Sequence, residues 1–139
     1  MTETSVPEEP ETRYVNLLAV FDRLNERYFG GKCCAGIGWR NIRIGKAPPT
    51  IGICETTERI IRINTILSDV RVPYYVLESV VYHEMLHVML GPEHDDEFLD
   101  IDSKFPGYEE SERFLSGEFL GIVSEWRAWR DYKNSLRKR

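Results

Sequence analysis

The sequence contains no apolar run of the length that a transmembrane helix needs, about 18–20 residues. Residues 1–11 contain four glutamates and no apolar stretch, so we expect no signal peptide there and no membrane partner. Cysteine is also scarce, because the chain has only three, and two of them, Cys33 and Cys34, are adjacent. This small, odd number argues against a disulfide framework or a cysteine-rich zinc ribbon and favours a reducing, cytoplasmic location.

Positive charge is in deficit, and the net charge is −5. Residues 93–112 hold nine acidic side chains and one lysine, whereas residues 127–139 hold six basic side chains and one acidic one. A globally basic surface of the kind that binds nucleic acid is therefore absent, and only the C-terminal segment has the charge to contact it. The 42% of hydrophobic residues is enough for a core, which excludes disorder of the whole chain.

The length of 139 residues predicts one domain. We expect residues 1–11 to form a disordered acidic tail, since Pro7 and Pro10 oppose a helix there. Residues 12–139 are then predicted to form a single domain.

The first half of that domain predicts one helix followed by a small sheet. Apolar residues spaced three and four apart favour a helix over Arg13–Phe29, ended by Gly30. Alternating apolar residues predict a bent or bulged strand over Ile37–Ile44 and a hairpin over Thr50–Asn64. We therefore expect an antiparallel sheet of about three strands.

The second half predicts helices. The segment from Pro73 to Leu90 is apolar almost all round, which is typical of a helix in the middle of a domain. A short helix is predicted over Asp95–Lys104, and one or two helices over Glu109–Leu136, with a break near Gly117 or Gly121. The fold class predicted is α+β.

The candidate metal ligands and general base lie in the central predicted helix. His83 and His87 lie four residues apart, which places both imidazoles on one helical face, where they can hold one metal ion. Zinc suits imidazole ligands, and a catalytic zinc leaves a position for water. Glu84 then lies beside that water as the predicted general base.

A catalytic zinc needs a third protein ligand. His94 is the remaining histidine of the chain, and Gly91-Pro92 would end the helix and let the chain turn back toward His87. We predict His94 as this ligand. The alternatives are carboxylates on a later helix, Glu109, Glu110 and Glu118.

Other side chains are candidates for supporting roles. Asp95 and Asp96 follow the third histidine and can either orient an imidazole or cap a helix. Tyr74, Tyr75 and Tyr108 can stabilise an oxyanion or pack in the core. The cysteines are interpreted as small apolar residues.

Several segments resemble the SprT-like zinc metalloproteases. The resemblance covers roughly residues 13–115 and is carried by HEMLHVMLGPEHDDEF, by VPYYVLESVVYHEMLH ahead of it, and by LLAVFDRLNERYFGG followed by IGWRN. The short spacing from His87 to His94 is closer to compact bacterial relatives, including the YgjP-like proteins, than to the Spartan proteases. The four-cysteine zinc ribbon frequent in the family is missing here.

The resemblance implies a zincin or minigluzincin-like fold, zinc bound by His83, His87 and His94, and Glu84 as general base. It also implies hydrolysis of a peptide or protein substrate, with the predicted hairpin flanking the cleft. The leading hypothesis is thus a zinc metallopeptidase whose substrate docks along a strand edge. The alternatives are a non-proteolytic metal-binding protein and a DNA-linked protease that acts on protein–DNA crosslinks. The sequence does not predict an oligomeric state.

Overall fold

Five α-helices and a three-stranded sheet make up the computed structural model, which describes residues 6–45 and 48–137. The α+β class is confirmed. The helices are α1 (Leu17–Phe29), α2 (Tyr74–Leu90), α3 (Asp96–Ser103), α4 (Tyr108–Ser116) and α5 (Glu118–Arg137). The strands are β1 (Gly36–Arg40), β2 (Gly52–Glu55) and β3 (Ile60–Asn64), and a 3₁₀ turn follows over Thr65–Ser68.

Helix α1 begins at Leu17, later than the predicted Arg13. The side chain of Asn16 accepts a hydrogen bond from the Ala19 amide at 3.1 Å and caps the helix there. The residues before it are extended because their backbone pairs elsewhere: the Arg13 amide donates to the Ser68 carbonyl at 2.7 Å. Of the predicted disordered tail, residues 1–5 lie outside the described part of the chain, and residues 6–10 form no helix or strand.

The sheet is mixed, with the strand order β1-β3-β2. Strands β2 and β3 form the predicted antiparallel hairpin. Strand β1 runs parallel to β3, where a wholly antiparallel sheet had been expected. The reason is that β3 lies between the two strands that precede it in sequence, so β1 meets the later strand of the hairpin rather than the earlier one.

Strand β1 ends at Arg40 and does not continue to Ile44 as predicted. Ile44 is buried, but its backbone joins no ladder. Instead, the Ile44 carbonyl accepts a hydrogen bond from Arg130, and the Gly45 carbonyl accepts two from Arg127, at 2.6 and 3.0 Å. Arginine side chains of α5 therefore supply the hydrogen bonds that a neighbouring strand would otherwise donate to these carbonyls.

Helix α2 lies at the centre of the domain. It contacts β2 and β3 on one side and α1, α3 and α4 on the others. Its buried residues include Val76, Val81 and Met85, all 0% exposed. No residue from Val76 to Val88 is exposed, so the polar residues in this part of the helix are buried or half-buried.

The predicted C-terminal helices are separate, with the break at Gly117. Helix α5 is joined to the segment after β3 through Trp126, whose indole N–H donates to Asp69 at 2.8 Å. Within residues 6–45 and 48–137, none of the helices combines the length and apolar character required to cross a bilayer.

Candidate metal centre

Three imidazoles converge at the C-terminal half of α2. His83 and His87 project from the same face of the helix, and His94 approaches them from the segment between α2 and α3. One ring nitrogen from each lies within 4.8 Å of the others. The ring centroids are 4.6 Å apart for His87 and His94, and 5.2 Å apart for His83 and His94.

The end of α2 brings His94 into this cluster. Gly91 follows the last helical residue with φ 98°, a backbone conformation that favours glycine. Its carbonyl accepts a hydrogen bond from His87 Nδ1 at 3.0 Å, so the same residue that ends the helix also orients an imidazole. Burial and the neighbouring imidazoles lower the pKa of His87, which favours its neutral, metal-binding form.

Asp102 orients the second imidazole. Its Oδ2 lies 2.8 Å from His83 Nδ1, and the carboxylate can only accept, so Nδ1 is the donor. Burial disfavours the protonated form of His83, but the hydrogen bond and charge of Asp102 outweigh this and raise the pKa. Because Nδ1 is occupied in both His83 and His87, each ring turns Nε2 toward the cluster.

One pair of nitrogens in the cluster is spaced as two ligands of one zinc ion would be. His83 Nε2 and His94 Nε2 are 3.2 Å apart. Two nitrogens that each lie about 2.0–2.1 Å from a tetrahedral zinc are separated by about 3.3–3.4 Å. Three imidazoles also match the ligand number and type of catalytic zinc sites, so the residues present fit this metal.

Phe98 supports all three rings from one side. It lies on α3, is 0% exposed, and its ring centroid is 4.5 Å from His87, 4.9 Å from His94 and 5.0 Å from His83. Asp95 caps α3 by accepting from the Phe98 amide at 2.9 Å. This cap positions Phe98, and one helical turn later Asp102, toward the cluster.

Glu84 lies next to the cluster and is only 6% exposed. Burial raises its pKa to about 7, although the charge of His83 acts in the opposite direction. Strand β2 passes very close to it: a Cβ atom built on Gly52 would lie 2.9 Å from Glu84 Oε2. Glycine at this position is what leaves room for the carboxylate.

A cavity of about 290 Å³ opens beside His83 and Glu84. Its walls come from α2, from α4 and from the chain entering β2, and Tyr108 is among the lining residues. Strand β2 pairs with β3 along one edge only, in the part of the chain that the structure describes. The cavity thus brings together one histidine of the cluster, a buried carboxylate and a nearby strand edge.

The model of the YgjP-like metallopeptidase domain matches residues 22–118, well over half of the chain. The protein belongs to the YgjP-like family. This confirms the resemblance seen in the sequence. A comparison with curated proteins finds no match.

The family match contains the whole candidate metal centre. It runs from within α1 to the first residue of α5, so it includes the sheet, α2, α3 and α4. The remainder of α5 lies outside it. A YgjP-like metallopeptidase domain with three converging imidazoles has the donors to hold a metal ion.

The other predicted ligands of this YgjP-like chain lie apart from the cluster. The alternative carboxylates are all exposed, and none belongs to the group of metal-ligating side chains found among the described residues: Glu109, Glu110 and Glu118. Asp95 is a helix cap, and Asp96 is exposed in the first turn of α3. Burial raises the pKa of the Cys33 thiol to about 11, which suits its interpretation as a small apolar residue.

Of the three tyrosines considered, Tyr108 alone lines the cavity beside Glu84. Tyr74 is 40% exposed, and its hydroxyl accepts a hydrogen bond from Arg23 at 2.7 Å. In the basic C-terminal segment, Arg127 and Arg130 donate to backbone carbonyls as described above. These two arginines therefore contribute to the fold.

Two residues of the candidate site, Asp102 and Gly52, were not predicted from the sequence. Asp102 lies four residues after Phe98, and that spacing could have placed both on one face of a short helix. An isolated glycine in a strand pattern indicates close approach of another group, which is what Gly52 shows with Glu84.

Proposed function

We propose that this protein is a zinc-dependent peptidase that hydrolyses peptide bonds with Glu84 as the general base. The observation that carries the proposal is the convergence of His83, His87 and His94, the first of which lines a cavity together with Glu84. Membership of a metallopeptidase family supports the same reaction class.

The three histidines would hold the metal, which when bound supplies a Lewis acid for the attacking water and the scissile carbonyl. Glu84 shares the cavity with His83 and is next to it in sequence, so it lies beside the ligands and not among them. Its carboxylate would accept a proton from the attacking water and later deliver it to the leaving amine. Asp102 would keep His83 in its binding orientation.

The substrate would bind in an extended conformation along β2. Thr50, Ile51 and Gly52 line the cavity, and the neighbouring edge of β2 has no partner strand among the described residues. Main-chain hydrogen bonds from such an edge hold a peptide independently of its sequence. Tyr108, in the wall of the same cavity, would be the donor to the developing oxyanion.

The three free cysteines support a reducing, cytoplasmic location as part of this proposal.

The decisive variant is Glu84→Gln, which keeps the shape of the side chain and removes the base. Hydrolysis of an unstructured protein by the zinc-loaded variant should fall by about 10²–10⁴-fold, the usual contribution of general acid–base catalysis. Its zinc content should equal that of the native chain. Glu97→Gln is the matched control, because Glu97 is exposed on α3 and lies outside the cavity.

Each assay should be run with and without single-stranded DNA. A Glu84→Gln variant that cleaves at the native rate would show that another base, or a contaminant, is responsible. A native chain that binds zinc and cuts nothing under either condition would favour the non-proteolytic metal-binding alternative. Cleavage that requires DNA would favour the DNA-linked protease.

A further inference from the structure

The cavity beside Glu84 has a specific chemical composition away from the histidines. Its volume of about 290 Å³ is at the lower end of the range for small-ligand sites, which begins near 300 Å³. It therefore suits one side chain better than a whole small molecule. Much of its wall is apolar, and the apolar lining residues are Pro49, Ile51, Val80 and Leu115.

The carboxylates in this cavity differ in what they contact. Asp102 is engaged with His83, and Glu84 is buried beside the metal ligands. Glu112 is exposed, and its carboxylate forms no ion pair or hydrogen bond with the residues that the structure describes. Apart from Glu84, which is assigned to catalysis above, Glu112 is thus the carboxylate of the wall that has no partner among the described residues.

Helix α4 directs this group into the cavity. Tyr108, Glu112 and Leu115 are spaced four and three residues apart, so they share one face of the helix, and all three line the cavity. Ser111 and Phe114, on the adjoining side of α4, are buried and hold the helix against the core. The position of Glu112 is therefore set by the packing of the helix.

An apolar wall beside an exposed carboxylate that has no ion pair matches a side chain that has an apolar stem and a cationic head. Lysine and arginine lay their methylene groups along apolar surface and keep the charge at the end. A leucine or phenylalanine would cover Glu112 without pairing it, which costs free energy, and an acidic side chain would be repelled. We propose that this cavity binds a lysine or arginine side chain of the substrate residue next to the cleaved bond, with Glu112 as the counter-ion.

The inference rests on the proposed peptidase function and adds its substrate class. The other two carboxylates that line the cavity, Glu84 and Asp102, have the same sign as Glu112, and no lysine or arginine is among the described residues that line it. A field of this sign raises the local concentration of cationic peptides and disfavours acidic ones.

A binding experiment tests Glu112 without hydrolysis. The protein is the zinc-loaded Glu84→Gln variant, and the ligands are a fluorescent arginine-containing peptide and its citrulline analogue, which has nearly the same shape and no charge. Fluorescence anisotropy should show about 10–100-fold tighter binding of the arginine peptide, as expected for a charge-assisted hydrogen bond. The difference should disappear in Glu84→Gln/Glu112→Gln and persist in Glu84→Gln/Glu97→Gln. Equal affinities, or a difference that survives the loss of Glu112, would overturn the proposal.

A cleavage experiment separates this inference from the peptidase proposal. The native chain and Glu112→Gln are given the same peptide mixture, and the cut sites are read by mass spectrometry. Lysine and arginine should be enriched at one fixed position beside the cut in the native chain only. Cleavage without that preference would contradict the cavity assignment and leave the peptidase standing. Binding that depends on Glu112, with no cleavage of any peptide, would support the cavity and contradict the peptidase. A protein that binds no peptide would contradict both.

Discussion

Asp69, after β3, and Asp102, near the end of α3, are both almost fully buried, at 2% and 6% exposed. Asp69 accepts hydrogen bonds from the guanidinium of Arg71 at 2.9 and 3.0 Å and from the indole of Trp126 at 2.8 Å. Asp102 accepts one side-chain hydrogen bond among the described residues, from His83. Asp69 thus joins α5 to the rest of the domain. Asp102 instead orients His83, whose ring lies beside the rings of His87 and His94.

Burial of a carboxylate therefore does not by itself mark a functional site. What distinguishes the two regions is the chemistry of the hydrogen-bond partner. The guanidinium and indole that bind Asp69 have no atom that could bind a metal. The imidazole that binds Asp102 has a second ring nitrogen, which could. The family match includes both aspartates but ends before Trp126, so one hydrogen-bond partner of Asp69 lies outside the matched segment.

Among variants that leave Glu84 itself unchanged, the largest effect is expected from crowding the candidate metal centre at Gly52. In Gly52→Ala the new methyl group would lie 2.9 Å from Glu84 Oε2, so the carboxylate must move. A misplacement of about 1 Å can cost about 10²-fold in rate, and we expect a loss of kcat on that scale with zinc content unchanged. Gly38→Ala is the control, because nothing lies within 4 Å of a Cβ at that position of β1. Full activity in Gly52→Ala would show that the position of Glu84 is unimportant.

Asp102→Asn should weaken zinc binding by about 10–100-fold, the usual cost of losing a carboxylate behind a histidine ligand. The asparagine oxygen can still accept from His83 Nδ1, so the fold should be retained. Competition with a zinc chelator measures the affinity. An unchanged affinity would mean that Asp102, like Asp69, serves only the structure.

Asp69→Asn should lower the stability of the fold and leave zinc affinity unchanged, which is the reverse of the result expected for Asp102→Asn. Replacing one acceptor oxygen by an amide leaves Arg71 or Trp126 without its partner, and we expect the free energy of unfolding to fall by about 2 kcal/mol. Urea unfolding followed by circular dichroism measures this change. Zinc affinity should equal that of the native chain, and a loss of zinc binding would remove the distinction between the two regions.

The smallest effect is a pH dependence of stability that arises from Asp69. Burial disfavours its ionised form, but the hydrogen bonds from Arg71 and Trp126 outweigh this, so its pKa is lowered. A lowered pKa stabilises the fold above the unfolded value of about 3.9, and this stability is lost as the pH falls through the folded value. Unfolding between pH 6 and pH 3 should therefore be less pH-dependent in Asp69→Asn than in the native chain, and identical profiles would contradict the assignment.

Local patterns predicted the central helix and its end well. The apolar segment after Pro73 and the Gly91-Pro92 pair are contiguous in sequence, and the structure has α2 over Tyr74–Leu90. A break in the C-terminal helical region was predicted near Gly117 or Gly121, and the structure has it at Gly117. In the candidate site, the convergence of His83 and His87 follows from helical spacing alone.

Contacts between distant segments were not predictable in the same way. The parallel pairing of β1 with β3 depends on which strand of the hairpin faces β1, and alternation of apolar residues does not specify this. Asp102 is nineteen positions from His83 and reaches it only because α3 packs against α2. The carbonyls of Ile44 and Gly45 are satisfied by α5, so a strand-like pattern there formed no strand.

Zinc bound by His83, His87 and His94 is the central claim, and anomalous scattering from crystals of the zinc-loaded protein tests it most directly. Difference maps collected on the two sides of the zinc absorption edge should contain one peak per chain, about 2.0–2.1 Å from one ring nitrogen of each histidine. A peak held by Glu109, Glu110 or Glu118 in place of His94, or no peak at the cluster after zinc has been supplied, would contradict the account.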